Sequence, residues 1–279
     1  MVFSRIYFFI RVFSIDIVAG VLASLVFASS VMNVSLPRSH YTVLGLVVWL
    51  IYIADHLMDG AKTRGKSTSE THNFFNSYKI PIILIFLLVV IFTFRLILYR
   101  LELNIIEFGI APGFAVMIYL LLNRYYEKES KWFFIKELWI AVIYTLAVWG
   151  GPVIYAGDII SPVQFIQIAA FGLVILGNVL IYSIYEREAD EIDGNRSIVI
   201  NFGLKYAMNM AVYSLTLSIL IALTAYIFLG AKLNHVLPLI LISASMLIIL
   251  MFPRIFAYRK LYGVISDFLL LLFLLVLLW

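Results

Sequence analysis

Nine runs of about 20 mostly apolar residues divide this chain, and a run of that length can cross the hydrocarbon core of a bilayer as one α-helix. They fall near residues 12–34, 41–59, 80–99, 104–122, 136–157, 162–186, 205–229, 235–252 and 262–279. Apolar residues make up 64% of the chain and charged residues 13%, where a soluble domain carries roughly 45–50% and about a quarter. The sequence therefore predicts an all-α, polytopic membrane protein, a nine-helix bundle formed by a single domain over 1–279. The connections hold the breakers Pro37, Gly60, Gly65, Pro81, Gly157, Pro162, Gly194, Gly230 and Pro253,. The run 104–122 is the least regular, because Glu107, Pro112 and Gly113 interrupt it. The opening residues are aromatic and basic and no small-residue cleavage site follows, so the first run reads as a retained span. Cysteine is absent, which excludes disulfides and thiolate metal sites.

Basic residues set the expected orientation. Arg5, Arg11, Lys62, Arg64, Lys66, Lys79, Arg124, Lys128, Lys131, Lys136, Arg187, Arg196, Lys205, Arg254, Arg259 and Lys260 fall on one side of a nine-span plan; only Arg38, Arg95, Arg100 and Lys232 fall on the other. That asymmetry predicts a cytoplasmic N-terminus and an outer C-terminus. The long polar connection 60–79 mixes charges with Phe74, Phe75 and Tyr78, and two readings fit it: a short amphipathic lid helix over 69–78, or a solvated loop.

Two acidic clusters end the second and sixth runs on the predicted cytoplasmic side. The first holds Asp55 and Asp59; the second holds Glu186, Glu188, Asp190, Glu191 and Asp193. Asp55 and Asp59 are four residues apart, as are Glu186 and Asp190, so each pair shares a helical face. Carboxylates at a bilayer edge are costly unless a cation offsets them. Mg²⁺ suits such pairs, because it takes one or two carboxylates and keeps waters and phosphates as its other ligands. Each cluster alone reads equally well as interfacial punctuation; the two together, with basic flanks, point to a phosphate-bearing substrate. His56 lies between the two aspartates but off their face and reads as interfacial, and His72 as a surface residue. Asn178 and Tyr182 continue the Glu186–Asp190 face deeper into the span, either to orient the carboxylates or touch substrate, or to bond a neighbouring helix. Asn33, Asn123 and Asp267 receive no role.

These residues resemble the UbiA-type family of intramembrane prenyltransferases, nine-helix proteins with Asp-rich motifs after helices 2 and 6. The family's first motif is N-x-x-x-D-x-x-x-D; Asp55 and Asp59 match it, and Ile51 stands at the Asn position. In the second region Tyr182, Glu186, Arg187, Asp190, Gly194, Ser197, Phe202 and Gly203 fall in the family's frame, with Glu186 and Ala189 replacing aspartates. Lys136 matches half of a basic pair that leads into the fifth helix, Glu137 taking the other half, and Arg11 stands where the family has an arginine near the first helix; both cations read equally as positive-inside flanking charge.

The resemblance implies a Mg²⁺-dependent enzyme that moves a prenyl group from a prenyl diphosphate to a lipophilic, in some members aromatic, acceptor. Asp55, Asp59, Glu186 and Asp190 would hold the metal. Lys62, Arg64, Lys136, Arg187 and Arg196 would contact the diphosphate, with Asn178 and Tyr182 beside the substrate. The expected setting is a bacterial inner membrane, with membrane lipid as surroundings and no nucleic-acid partner. Two alternatives stay open: a UbiA-like terpene cyclase, and a non-catalytic protein that binds a lipid or a partner.

Overall fold

The computed structural model describes residues 8–63, 70–125, 136–157, 159–193 and 197–278; within its helices the side chains of residues 59, 61–63, 70, 72, 122–125, 193 and 259 fall outside the description. The described residues form helices and no strand. In chain order the elements are α1 (Ile15–Val31), α2 (Arg38–Thr63), α3 (Glu70–Ser77), α4 (Lys79–Arg100), α5 (Leu103–Tyr125), α6 (Lys136–Ala156) and α7 (Pro162–Tyr185). Then follow α8 (Arg187–Asp193), α9 (Ile198–Phe202), α10 (Leu204–Leu229), α11 (Leu233–Met251), α12 (Pro253–Ala257) and α13 (Leu261–Leu269), which continues as a 3₁₀ helix over Leu270–Leu278. Eight of these stretches are long and apolar enough to cross a membrane, and α1 is apolar over 17 residues. The chain is an all-helical integral membrane protein.

Two boundaries differ from the sequence reading. Helix α2 does not stop at Asp59 but runs through Gly60 to Thr63, because Ala61 and Lys62 are good helix formers despite their low apolarity. Helix α5 is continuous through Pro112; transmembrane helices tolerate an internal proline, since neighbouring groups re-satisfy the freed carbonyl.

The helices group into two compact units, residues 1–22 with 37–127, and residues 23–36 with 128–279. In the first unit α2 packs with α3, α4 and α5. Its core is Val12, Ile53, Phe75 and Ile82, ringed by Phe8, Phe13, Trp49, Leu57, Phe74 and Phe86. Of the two readings of this connection the short helix is present, as α3, turning Phe75 into this core while Asn76 and Ser77 stay exposed. Phe74 meets Phe8 and Phe13 edge-on with centroids 6.0 Å away in both cases. On α4, Leu84, Leu88, Ile91 and Phe94 are exposed, as a lipid-facing surface requires.

In the second unit α7 is the most buried span and packs with α6, α10 and α11. Lipid tails are as apolar as leucine, so helices in a membrane associate by close packing of small residues rather than by leaving water. Helix α10 buries Ala207, Ala211, Ser214, Leu215, Ser218, Ala222 and Ala225 and exposes Tyr213, Leu217, Leu220 and Ile227. Gly177 on α7 admits this stripe: a Cβ there would clash with the Leu215 side chain. Ser218 Oγ also donates to the Ala170 carbonyl at 2.9 Å. The start of α7 is set by a capping box, in which Ser161 Oγ accepts from the Gln164 amide and the Gln164 side chain accepts from the Ser161 amide, with Pro162 following,.

Candidate functional site: two acidic helix ends

The first acidic pair lies inside α2, one turn before its end. Asp55 is half-buried, and the helix carries Asp59 one turn further on. The Asp59 and Lys62 side chains, and Arg64 as a whole, lie outside the described residues. His56 Nε2 is 3.2 Å from Ser14 Oγ, and its ring lies 5.2 Å from that of Phe75. Arg11 forms an ion pair with Asp16 at 3.2 Å. Its guanidinium thus has an acid of its own segment, which the family comparison does not anticipate.

The second pair straddles a break. Helix α7 ends at Tyr185, Glu186 bends the chain, and α8 restarts at Arg187. The break leaves the one-turn spacing intact, because the Asp190 amide donates to the Glu186 carbonyl at 2.8 Å. Glu188 and Asp190 occupy the first turn of α8, where orphan amides favour negative charge. Tyr262, buried on α13, donates its hydroxyl to Glu186 Oε1 at 3.0 Å. One carboxylate oxygen is thereby oriented. Arg187 is exposed beside it; Arg196 lies outside the described residues.

Tyr182 has a different task from the one its place beside the acids suggests. Its hydroxyl donates to Asp267 Oδ2, with the Gly263 carbonyl also 3.1 Å away. Of the two readings of this residue, the structure supports the helix–helix bond. Asp267, only 6% exposed, is the acid to which sequence reasoning gave no role, although a lone carboxylate within a span is a signal in its own right. Asn178 is buried one turn deeper on α7. Tyr185 donates to the Ile249 carbonyl at 2.6 Å and stacks on Tyr262 at 4.5 Å, so the tyrosines at the end of α7 lock it to α11 and α13.

Glu137, which replaces half of the basic pair, also has a structural task. It is 1% exposed, and its Oε1 accepts from the Ile198 amide at 2.8 Å. Ser197 does not cap α9 with its own side chain; Glu137 does so from α6. The residues that follow the second acidic cluster are thereby anchored beside the half-buried Lys136.

Among the described residues no three acidic or histidine side chains converge into a metal cage. Mg²⁺ needs none when phosphates and waters complete its shell. The donor chemistry of Glu186 and Asp190, hard oxygens one turn apart with one already oriented, fits that mode.

No family model and no curated protein matches the sequence. The fold is similar to the solved structure of a digeranylgeranylglyceryl phosphate synthase in membranes, with a TM-score of 0.57 at 17% identity, covering 95% of this chain and 94% of that one. At this identity the likeness is one of fold.

Proposed function

We propose that the protein is a Mg²⁺-dependent intramembrane prenyltransferase, which moves a prenyl group from a prenyl diphosphate to a lipophilic acceptor. The observation that carries this reading is the end-to-end likeness of its fold to a synthase of an isoprenoid-bearing lipid, in a chain that carries an acidic cluster near the ends of two helices. In one unit Asp55 and Asp59, and in the other Glu186 and Asp190, are the proposed metal-holding pairs. Bound there, Mg²⁺ supplies neutralisation of the diphosphate charge that grows as the allylic C–O bond breaks. Lys62, Arg64, Lys136, Arg187 and Arg196 add positive charge for the leaving group. Tyr262 presents Glu186, and Glu137 holds the chain after Asp190. The acceptor's nucleophilic atom bonds to C1 of the prenyl group, diphosphate leaves, and the acceptor loses a proton. The proposed setting is a bacterial inner membrane, with the N-terminus and both acidic ends cytoplasmic.

The test is incubation of the purified protein with Mg²⁺ and labelled prenyl diphosphates of several lengths. Diphosphate release with a prenylated lipid supports transfer. Release with a cyclic hydrocarbon moves the reading to cyclisation. Asp55→Asn and Asp190→Asn should each weaken Mg²⁺-dependent diphosphate binding by about 1.5–3 kcal/mol, the worth of one charge-assisted contact. A second reading, binding without turnover, is favoured by Ile51, which places an apolar side chain one turn before Asp55 where the family bonds through Asn.

A further inference from the structure

The end of α7 remote from Glu186 carries a cavity of its own. Helix α7 has 24 residues, which at 1.5 Å per residue puts its N-terminus about 36 Å from the acidic end. There, the ends of α1 and α10 and the starts of α7 and α11 form an open pocket of about 340 Å³, lined by Ser30, Asn33, Val163, Gln167, Lys232 and His235 among others. No carboxylate lines it among the described residues.

The lining is rich in hydrogen-bond donors. Gln167 is 1% exposed, and its Nε2 has no protein partner. A buried amide donor left in that state is uncommon, and a ligand or water accounts for it. The first turn of α7 adds a second donor. The Ser161 and Gln164 amides are used by the capping box and Pro162 has none, which leaves the Val163 N–H at the positive end of the helix dipole. Lys232, at the mouth, contributes the cation. His235 is fixed as part of the wall, with Nε2 3.2 Å from Ser30 Oγ and its ring edge-on to Phe27.

A neutral amide, a helix N-terminus and an ammonium, with no acid among the described lining residues, select an oxyanion. The volume is far above the roughly 30 Å³ share of one water, and the site sits where spans end and phosphate headgroups lie. We propose that this cavity is a second binding site, for a phosphate group, taken from a phospholipid headgroup or from free phosphate, remote from the acidic helix ends.

The test uses the full-length protein in detergent with EDTA present, which removes metal-dependent phosphate binding at the acidic ends. Isothermal titration is run with short-chain phosphatidic acid, with inorganic phosphate and with the matching short-chain diacylglycerol. Wild type should bind phosphatidic acid and not diacylglycerol, and Gln167→Leu and Lys232→Met should each weaken binding at least tenfold. Lys232 is exposed, so its variant keeps the test decisive if Gln167→Leu does not fold. Binding of phosphatidic acid alone assigns the site to the headgroup; equal binding of inorganic phosphate assigns it to the free anion. Phosphate binding by neither probe, or affinity unchanged in the folded variants, overturns the proposal.

Discussion

Replacing Tyr182 by Phe separates a structural tyrosine from a substrate-binding one. The substitution removes a hydroxyl that donates to Asp267 Oδ2 and lies 3.1 Å from the Gly263 carbonyl. It keeps the ring, whose centroid is 5.8 Å from that of Tyr262 in an edge-to-face contact, so no cavity term enters. What remains is the loss of one hydrogen bond to a carboxyl group that is only 6% exposed, worth about 1.5–3 kcal/mol when the acceptor is charged. Reversible unfolding in mixed micelles should show that loss for Tyr182→Phe. Combining it with Asp267→Leu should restore part of the stability, because removing both partners of a buried bond costs less than orphaning one. The coupling in the double-mutant cycle should fall within about 0.5–3 kcal/mol. Affinity for prenyl diphosphate should change little in Tyr182→Phe. Additivity of the two substitutions, with unchanged stability and lost diphosphate affinity, would refute the assignment and return Tyr182 to the substrate.

Tyr262→Phe removes the donor to Glu186 and should weaken Mg²⁺-dependent diphosphate binding while leaving metal-free binding unchanged, read by titration with and without EDTA. Gly177→Ala drives a Cβ against fully buried Leu215 and should cost about 1–3 kcal/mol; the same substitution in a Leu215→Ala background should cost less. Glu137→Leu leaves the Ile198 amide without its acceptor and should destabilise by about 1–3 kcal/mol, with faster hydrogen exchange at residues 198–202. Ile51→Asn should raise diphosphate affinity or turnover; loss of binding in a folded variant would count against the family geometry around Asp55.

The spans were legible because each carries its own evidence, a run of apolar residues, whereas aromatic residues set among charges left α3 as one of two readings. What could not be read locally were partners distant in sequence. Asp267 meets a tyrosine 85 residues away and Glu137 an amide 61 residues away; no spacing rule links such positions before the helices pack. The cavity around Gln167 has the same origin, since it needs the ends of α1 and α10 together with the starts of α7 and α11. Local hydropathy also misplaced the end of α2, where helix propensity outlasts apolarity and carries the chain a turn past Asp59.

The departures from the family pattern are not equivalent once partners are known. Glu137 looked like a lost cation, but its carboxylate caps α9 and holds the chain that follows the second cluster. Glu186 looked like a relaxed aspartate. Its extra methylene gives the carboxylate longer reach, and Tyr262 meets it across from α13. These two substitutions bring contacts that steady the second acidic end. Ile51 brings none of that kind, because an aliphatic side chain has no group to offer a carboxylate, a bound water or a phosphate oxygen. The second acidic end therefore retains an oriented Glu186, and the proposed chemistry lacks a polar group at two places, Ile51 in the first cluster and Ala189 in the second.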